Sequence, residues 1–317
     1  MLRALDLFSG IGGITYGLRG IVTPIVYVEK DPDARDFLKK KHPDTPVFDD
    51  VCTFDATPLK GSIDIITAGW PCTGFSTAGK GGGFSHHASG LFTEIVRMAK
   101  ECEPKYLFLE NSHVLSRKEN LDVVVSAFSE LGYDCRWITC HATCVGAPHQ
   151  RHRWFCLVSK RGIDIDIEIP EFHYIFDWDN EKEPAKQIKE NTTKNKTILG
   201  FVGNSVVPDQ VRYTFYKLLG KECHERLFPP LNIPLVPRMN EHKTKETNLV
   251  TKTIIKKYWG TPCYSFRTHT RGNRVLTKRH LAYLPTQVRF SPQGIDGYNL
   301  NGLWCAWLMG YTQEYFI

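Results

Sequence analysis

Over roughly its first half the chain alternates between short, largely apolar runs and longer stretches in which apolar residues recur every three or four positions. The runs, rich in β-branched and aromatic residues, fall at 3–8, 24–28, 63–68, 106–109, 134–139 and 154–158. Helical spacing falls between several of them, at 31–41, 89–102 and 120–131. Runs without a polar face read as strands covered on both sides, and their alternation with helices predicts an α/β fold. The architecture expected is a doubly wound, mostly parallel sheet with helices on both faces. Ligands of such sheets bind beyond the carboxyl ends of the strands, so functional residues are expected just after them.

Beyond residue 158 the pattern weakens. Residues 181–197 (EKEPAKQIKENTTKNKT) are polar throughout and read as a linker or exposed loop. A Gly-Asn turn and an apolar-periodic helix follow within 201–219, after which prolines, basic residues and isolated aromatics alternate without a long period. The expected organisation is a larger domain over 1–220 and a smaller one over 221–317.

Charge sharpens that division. Of the formal net charge of +6, the segment 238–289 alone contributes +10, with twelve Lys and Arg against Glu241 and Glu246, and the remainder carries −4. A basic segment on a mildly acidic body suits a polyanionic partner, although a solvated surface accounts for the charge equally well. Composition, 42% apolar and 12% aromatic, excludes a disordered chain. No apolar stretch approaches the roughly 20 residues of a membrane span. Ten cysteines without a basic, signal-like start predict reduced thiols and an intracellular protein, in cytoplasm or nucleus.

Candidate chemistry sits where the strands end. Asp6-Leu7-Phe8-Ser9-Gly10-Ile11-Gly12-Gly13 closes the first run with a glycine turn that lets backbone approach a nucleoside, and Glu29 ends the second, placed to accept from ribose hydroxyls. Thr15 stands where a dinucleotide fingerprint needs its third glycine, which weighs against NAD or FAD; the turn alone fits an ordinary tight bend as well. Trp70-Pro71-Cys72-Thr73-Gly74 puts a cysteine in a loop after the next run, followed by four glycines within 79–83. A cysteine there is a poor core residue and a good nucleophile, given help in losing its proton. Glu110 follows three apolar residues at another strand end, and Arg151 and Arg153 alternate before the last run, where they can clamp a phosphate or a base oxygen. Cys140, His141, Cys144, His149 and His152 are zinc-ligand types, but their spacing fits no zinc pattern and no metal is expected.

Taken together these residues resemble the DNA cytosine-5 methyltransferase family, phage, virus or bacterial in type. DLFSGIGG is similar to that family's first cofactor motif, PCTGFS to its catalytic loop, Glu110-Asn111 to its Glu-Asn motif, Arg151-x-Arg153 to its paired arginines and GNSVVP at 203–208 to its last cofactor motif. The resemblance runs over about the first two thirds of the chain. It implies the S-adenosylmethionine-dependent methyltransferase fold, with S-adenosyl-L-methionine held by Phe8, Gly10, Gly12, Glu29, Asp50, Pro71, Leu91 and Asn204. It also implies catalysis by Cys72, Glu110, Arg151 and Arg153 on a cytosine flipped out of duplex DNA. Thr73, Ser112 and His149 depart from the family's usual residues without removing a reacting group. The stretch 300–311 resembles a motif that normally precedes GNSVVP, yet here it follows by about a hundred residues, so target recognition is expected in 221–317. There Arg267, Arg271, Arg274, Lys278 and Arg279 are the candidate DNA contacts.

The partner implied is double-stranded DNA, read by a monomer, with a cognate restriction endonuclease as a further candidate. Three rival readings fit less well. A nucleotide-dependent oxidoreductase meets Thr15, a catalytically silent relative meets the full set of reacting groups, and an RNA cytosine methyltransferase lacks so large a basic C-terminal part.

Overall fold

The computed structural model describes residues 1–71, 90–163, 167–226 and 299–316 of the 317-residue chain. Along these the elements run β1 (Leu2–Leu7), α1 (Gly13–Gly17), β2 (Val22–Val28), α2 (Pro32–Lys41), β3 (Val47–Phe48), β4 (Ile65–Gly69), α3 (Leu91–Cys102), β5 (Tyr106–Ser112), α4 (Lys118–Glu130), β6 (Tyr133–His141), β7 (His152–Lys160), β8 (Gln187–Ile188), α5 (Thr193–Asn204), α6 (Pro208–Leu218), β9 (Asn299–Leu300) and α7 (Gly302–Leu308). The chain divides into two compact units. The first comprises 1–140, 152–174 and 208–224; the second comprises 141–151, 175–207 and 225–317.

The first unit holds a seven-stranded sheet in the order β3-β2-β1-β4-β5-β7-β6. β1 pairs in parallel with β2 and β4, β2 with β3 and β4 with β5, whereas β7 runs antiparallel to β5. Strand order reverses direction between β1 and β4, which makes their carboxyl ends the switch point where such sheets take ligands. The expected doubly wound, mostly parallel architecture is present.

Side chains alternate across the strands, and each face has its own cover. Leu5, Leu7, Val26, Val28, Ile66, Ala68, Leu107, Leu109, Cys156 and Val158 join one core with Phe92, Ile95 and Met98 of α3 and with Val124 and Phe128 of α4. The intervening residues face the other way: Phe108 stacks on Phe155 at 5.9 Å and meets Phe215 of α6 edge-on at 5.2 Å. Helix starts follow capping chemistry. Asp31 accepts from the Ala34 N–H at 2.9 Å ahead of Pro32, and Lys39–Lys41 occupy the negative end of α2.

In the second unit α5 packs with α7 and β8 pairs with β9. Asn195 of α5 is their tie: its amide donates to the Leu300 carbonyl at 3.0 Å, and its Oδ1 accepts from the Gly302 N–H at 2.7 Å. Residues 181–197, read as a linker from composition, include β8 and the first turn of α5, where Thr192 accepts from the Asn195 N–H at 3.2 Å. The helix therefore begins inside the polar stretch and ends at Asn204, so Gly203-Asn204 forms its last turn rather than a separate bend. Of the expected recognition domain, residues 227–298 lie outside the described ones. Among the described residues no helix is long and apolar enough to cross a membrane.

Candidate functional site

The carboxyl ends of β1 through β5 gather most of the candidate residues of the first unit. Directly after β1, Phe8 and Gly10 both take positive φ, 54° each, and bend the backbone into the turn that opens α1. Such a φ is costly for phenylalanine and free for glycine. Among the described residues, a methyl group added at Gly10 would meet no atom within 4 Å, which leaves open space over the turn. Glu29, one residue past β2, reaches across to it: Oε2 accepts from the Gly10 N–H at 2.6 Å and Oε1 from the Asp31 N–H at 2.7 Å. Burial raises the Glu29 pKa, and these two donors oppose the rise.

Asp50, just past β3, is held differently. The Cys52 N–H donates to it at 2.9 Å and Lys30 pairs with it at 3.0 Å, which together lower its pKa. Leu91 is the first residue of α3 and, like Phe8, packs against the core beneath the sheet's edge.

β4 and β5 supply the reactive side. Gly69 and Glu110 are register partners, and a Cβ at 69 would stand 3.1 Å from Glu110 Oε2, so a larger residue there would press on that carboxylate. Glu110 is 7% exposed. Its Oε1 lies 3.0 Å from Nε of Arg153, an ion pair that lacks hydrogen-bond alignment among the described residues. The Arg153 guanidinium is also anchored by donating from Nη1 to the His152 carbonyl at 2.9 Å. Asn111 donates to the Trp70 carbonyl at 3.2 Å and so fixes the backbone immediately before Pro71, which is exposed. Cys72 and the glycines after it lie outside the described residues, as do Arg267, Arg271, Arg274, Lys278 and Arg279.

Arg151 and Asn204 belong to the second unit. Arg151 is buried and donates to the carbonyl of Ser205, whose hydroxyl is itself hydrogen-bonded to Tyr311. Arg151, the GNSVVP segment and the 300–311 stretch, far apart in sequence, thus meet in one place. Asn204 is exposed at the end of α5. Among the described residues no cluster of three or more His, Cys, Asp or Glu side chains could hold a metal.

Asp6 was not singled out from sequence, although an acid flanked by Leu5 and Leu7 inside a strand is itself a signal. It is fully buried, takes a 2.5 Å hydrogen bond from Thr67 of the adjoining strand, and its Oδ2 has no hydrogen-bond partner among the described residues. Burial pushes its pKa up to about 8, with the nearby Glu29 charge adding to the rise. From about pH 4, where Asp6 ionises in the unfolded chain, up to about 8, the folded protein keeps a proton that the unfolded chain has lost. The stabilisation is therefore complete below about pH 4 and lost as pH climbs towards 8. Asp6→Asn should remove that slope from melting temperatures measured across the range; parallel curves for variant and wild type would show that Asp6 ionises normally.

Comparison with known proteins adds to this geometry. Residues 2–287 match the family described as C-5 cytosine-specific DNA methylase. The Type II methyltransferase M.CviJI of Paramecium bursaria Chlorella virus IL3A is 44% identical over 360 residues, which covers 99% of this chain and 97% of that protein. The Type II methyltransferase M2.BsuMI of Bacillus subtilis (strain 168) is 35% identical over 167 residues, covering 50% of this chain and 42% of its own length. Among solved structures, the methyltransferase EhMeth of Entamoeba histolytica aligns over 100% of this chain and 98% of its own, with 14% identity and a TM-score of 0.48.

Proposed function

Because this chain belongs to the C-5 cytosine-specific DNA methylases, we propose that it transfers a methyl group from S-adenosyl-L-methionine to carbon 5 of a flipped-out cytosine in duplex DNA, through a covalent bond to Cys72. The observation that carries this reading is the Glu110–Arg153 pair at the sheet's carboxyl edge, beside the strand that leads into Pro71-Cys72. A buried acid facing a guanidinium suits a heterocycle that must be protonated on one atom and held by an oxygen on another.

The described residues fit the cofactor. Open space over Gly10, backbone bent by positive φ at Phe8 and Gly10, and a Glu29 carboxylate oriented by two N–H groups make a seat for an adenosine and its ribose hydroxyls. Gly12, Asp50, Pro71, Leu91 and Asn204 are the remaining candidates to hold it. Bound there, the cofactor supplies an electrophilic methyl group on a sulfonium. Glu29→Ala should weaken cofactor binding by about 1.5–3 kcal/mol, the range for hydrogen bonds to a charged group. Calorimetry on the folded variant is the check, and unchanged affinity would remove Glu29 from the ribose.

The chain's own groups divide the chemistry. The Cys72 thiolate forms a bond to carbon 6 of the ring, and the displaced double-bond electrons make carbon 5 nucleophilic. Glu110 holds or protonates ring nitrogen 3, so that negative charge does not build up there. Arg153 steadies the base oxygen, and Arg151 binds a backbone phosphate or the Cys72 loop. After methylation, nitrogen 3 returns its proton to Glu110, the carbon 5 proton passes to solvent water, and breakage of the sulfur–carbon bond restores the aromatic ring and the thiolate.

Sequence choice is assigned to residues 221–317. Their basic segment, with Arg267, Arg271, Arg274, Lys278 and Arg279, is the part of the chain suited to phosphates and base edges. The displaced position of the 300–311 stretch supports that assignment, since it leaves the intervening residues as one continuous insertion. A restriction-modification setting, with a cognate endonuclease, is the one suggested by the Type II naming of the relatives.

A further inference from the structure

Glu110 and Arg153 lie near the end of the β5–β7 ladder, whose last register pair is Ser112 with Arg153. One step beyond stand His113, the first residue of the short 3-10 turn that follows β5, and His152, the first residue of β7. Their imidazoles are stacked, with ring centroids 4.6 Å apart and planes 12° from parallel. Cross-strand ring pairs at the end of a ladder add to the backbone bonds that fix its last residues. The His113 end is itself fixed, because Ser116 Oγ donates to the His113 carbonyl at 2.7 Å.

The stack bears on the reacting pair through backbone. The carbonyl of His152 accepts from Nη1 of Arg153 at 2.9 Å, while Nε of the same guanidinium lies 3.0 Å from Glu110 Oε1. Two contacts set the plane of a rigid, planar group, and what remains of its donor fork then points in a defined direction. One of those two contacts is the peptide that carries the His152 ring. A shift of His152 would turn Arg153 without touching Glu110.

We propose that His113 and His152 are positioning residues for the methyl transfer, their stacked rings holding the His152 carbonyl where it orients the Arg153 guanidinium on Glu110. The inference rests on the reading of Glu110 and Arg153 as reacting groups. It adds to that reading a pair that no departure from the family's usual residues had pointed to.

The test compares turnover on duplex DNA, and cofactor affinity by calorimetry, for His113→Ala, His152→Ala, the double variant, His152→Phe and Arg153→Ala. Small misplacements of a catalytic group cost up to about a hundredfold. Each alanine variant should lose about tenfold in kcat, with cofactor affinity within about twofold of wild type. The double variant should be no slower than the worse single one, since both remove the same contact. His152→Phe restores a stacking ring and should recover turnover to within about threefold of wild type. Alanine variants at full turnover beside an inactive Arg153→Ala would overturn the positioning role alone. A fully active Arg153→Ala would instead overturn the reading of the site. His152→Phe as slow as His152→Ala would also overturn the proposal, because stacking would then not be what matters. Should His152→Ala fail to fold, His152→Gln, which keeps a polar side chain but not the ring, takes its place with the same expected loss.

Discussion

Cys72→Ser is expected to leave no denaturant-resistant complex on duplex DNA carrying 5-fluorocytosine, where the unaltered enzyme should become trapped. Fluorine at carbon 5 blocks the final proton loss, so the sulfur–carbon bond cannot be released once it has formed. A thiol with a pKa of about 8.5 offers a few per cent thiolate at neutral pH, whereas a serine hydroxyl offers practically no alkoxide. Methylation should accordingly fall by at least about a thousandfold, while cofactor binding, which does not use the thiol, stays as it was. The readout is a shifted band on a denaturing gel, with calorimetry as the control. Methylation by the serine variant at the wild-type rate would rule out the covalent route altogether.

Glu110→Gln should lower kcat by about 10²–10⁴-fold, the usual contribution of a positioned acid or base. The substitution keeps the shape and one hydrogen-bond acceptor but removes the ionisable carboxyl group, and with it the ion pair to Arg153. Glu110 and Arg153 have side-chain exposures of 10% and 21%, so the pair is poorly screened and its loss should also depress the melting temperature. Cofactor affinity separates the two effects, because the proposed cofactor seat is formed by Glu29 and the Gly10 turn, not by Glu110. Single-turnover rates close to wild type would place the proton donor elsewhere.

The sheet was legible because parallel strands covered on both faces must be apolar throughout. Ile65-Ile66 and Leu107-Phe108-Leu109 have no polar position to give to solvent, and they sit at the centre of the order β1-β4-β5. The strand ends were legible for the complementary reason: Glu29 and Glu110 each close an apolar run with a carboxylate. β3 was not legible, since two residues, Val47 and Phe48, carry no period. The beginning of α5 was misread because its stabilisation is not local. Thr193, Lys194 and Lys196 look like loop, yet the helix buries Ile198, Leu199 and Val202, and its tie to Leu300 and Gly302 comes from more than a hundred residues away. Asp6 and the His113–His152 stack were missed for a third reason. Each depends on a neighbouring strand, and sequence spacing does not show which strand lies beside which.

That long-range tie also governs the order in which the chain can finish folding. Asn195 and Gly302 are 107 residues apart, and the turn they close cannot exist until both have left the ribosome. At about 5–20 residues per second, α5 waits about 5–20 s with its apolar side uncovered, while the strands of the first unit can already pair. The wait spans synthesis of the whole basic segment. The closing of α7 on α5 therefore comes later than the pairing of the first unit's strands. Slowing translation between residues 205 and 299 should therefore prolong the interval in which a chaperone or protease can bind the nascent enzyme.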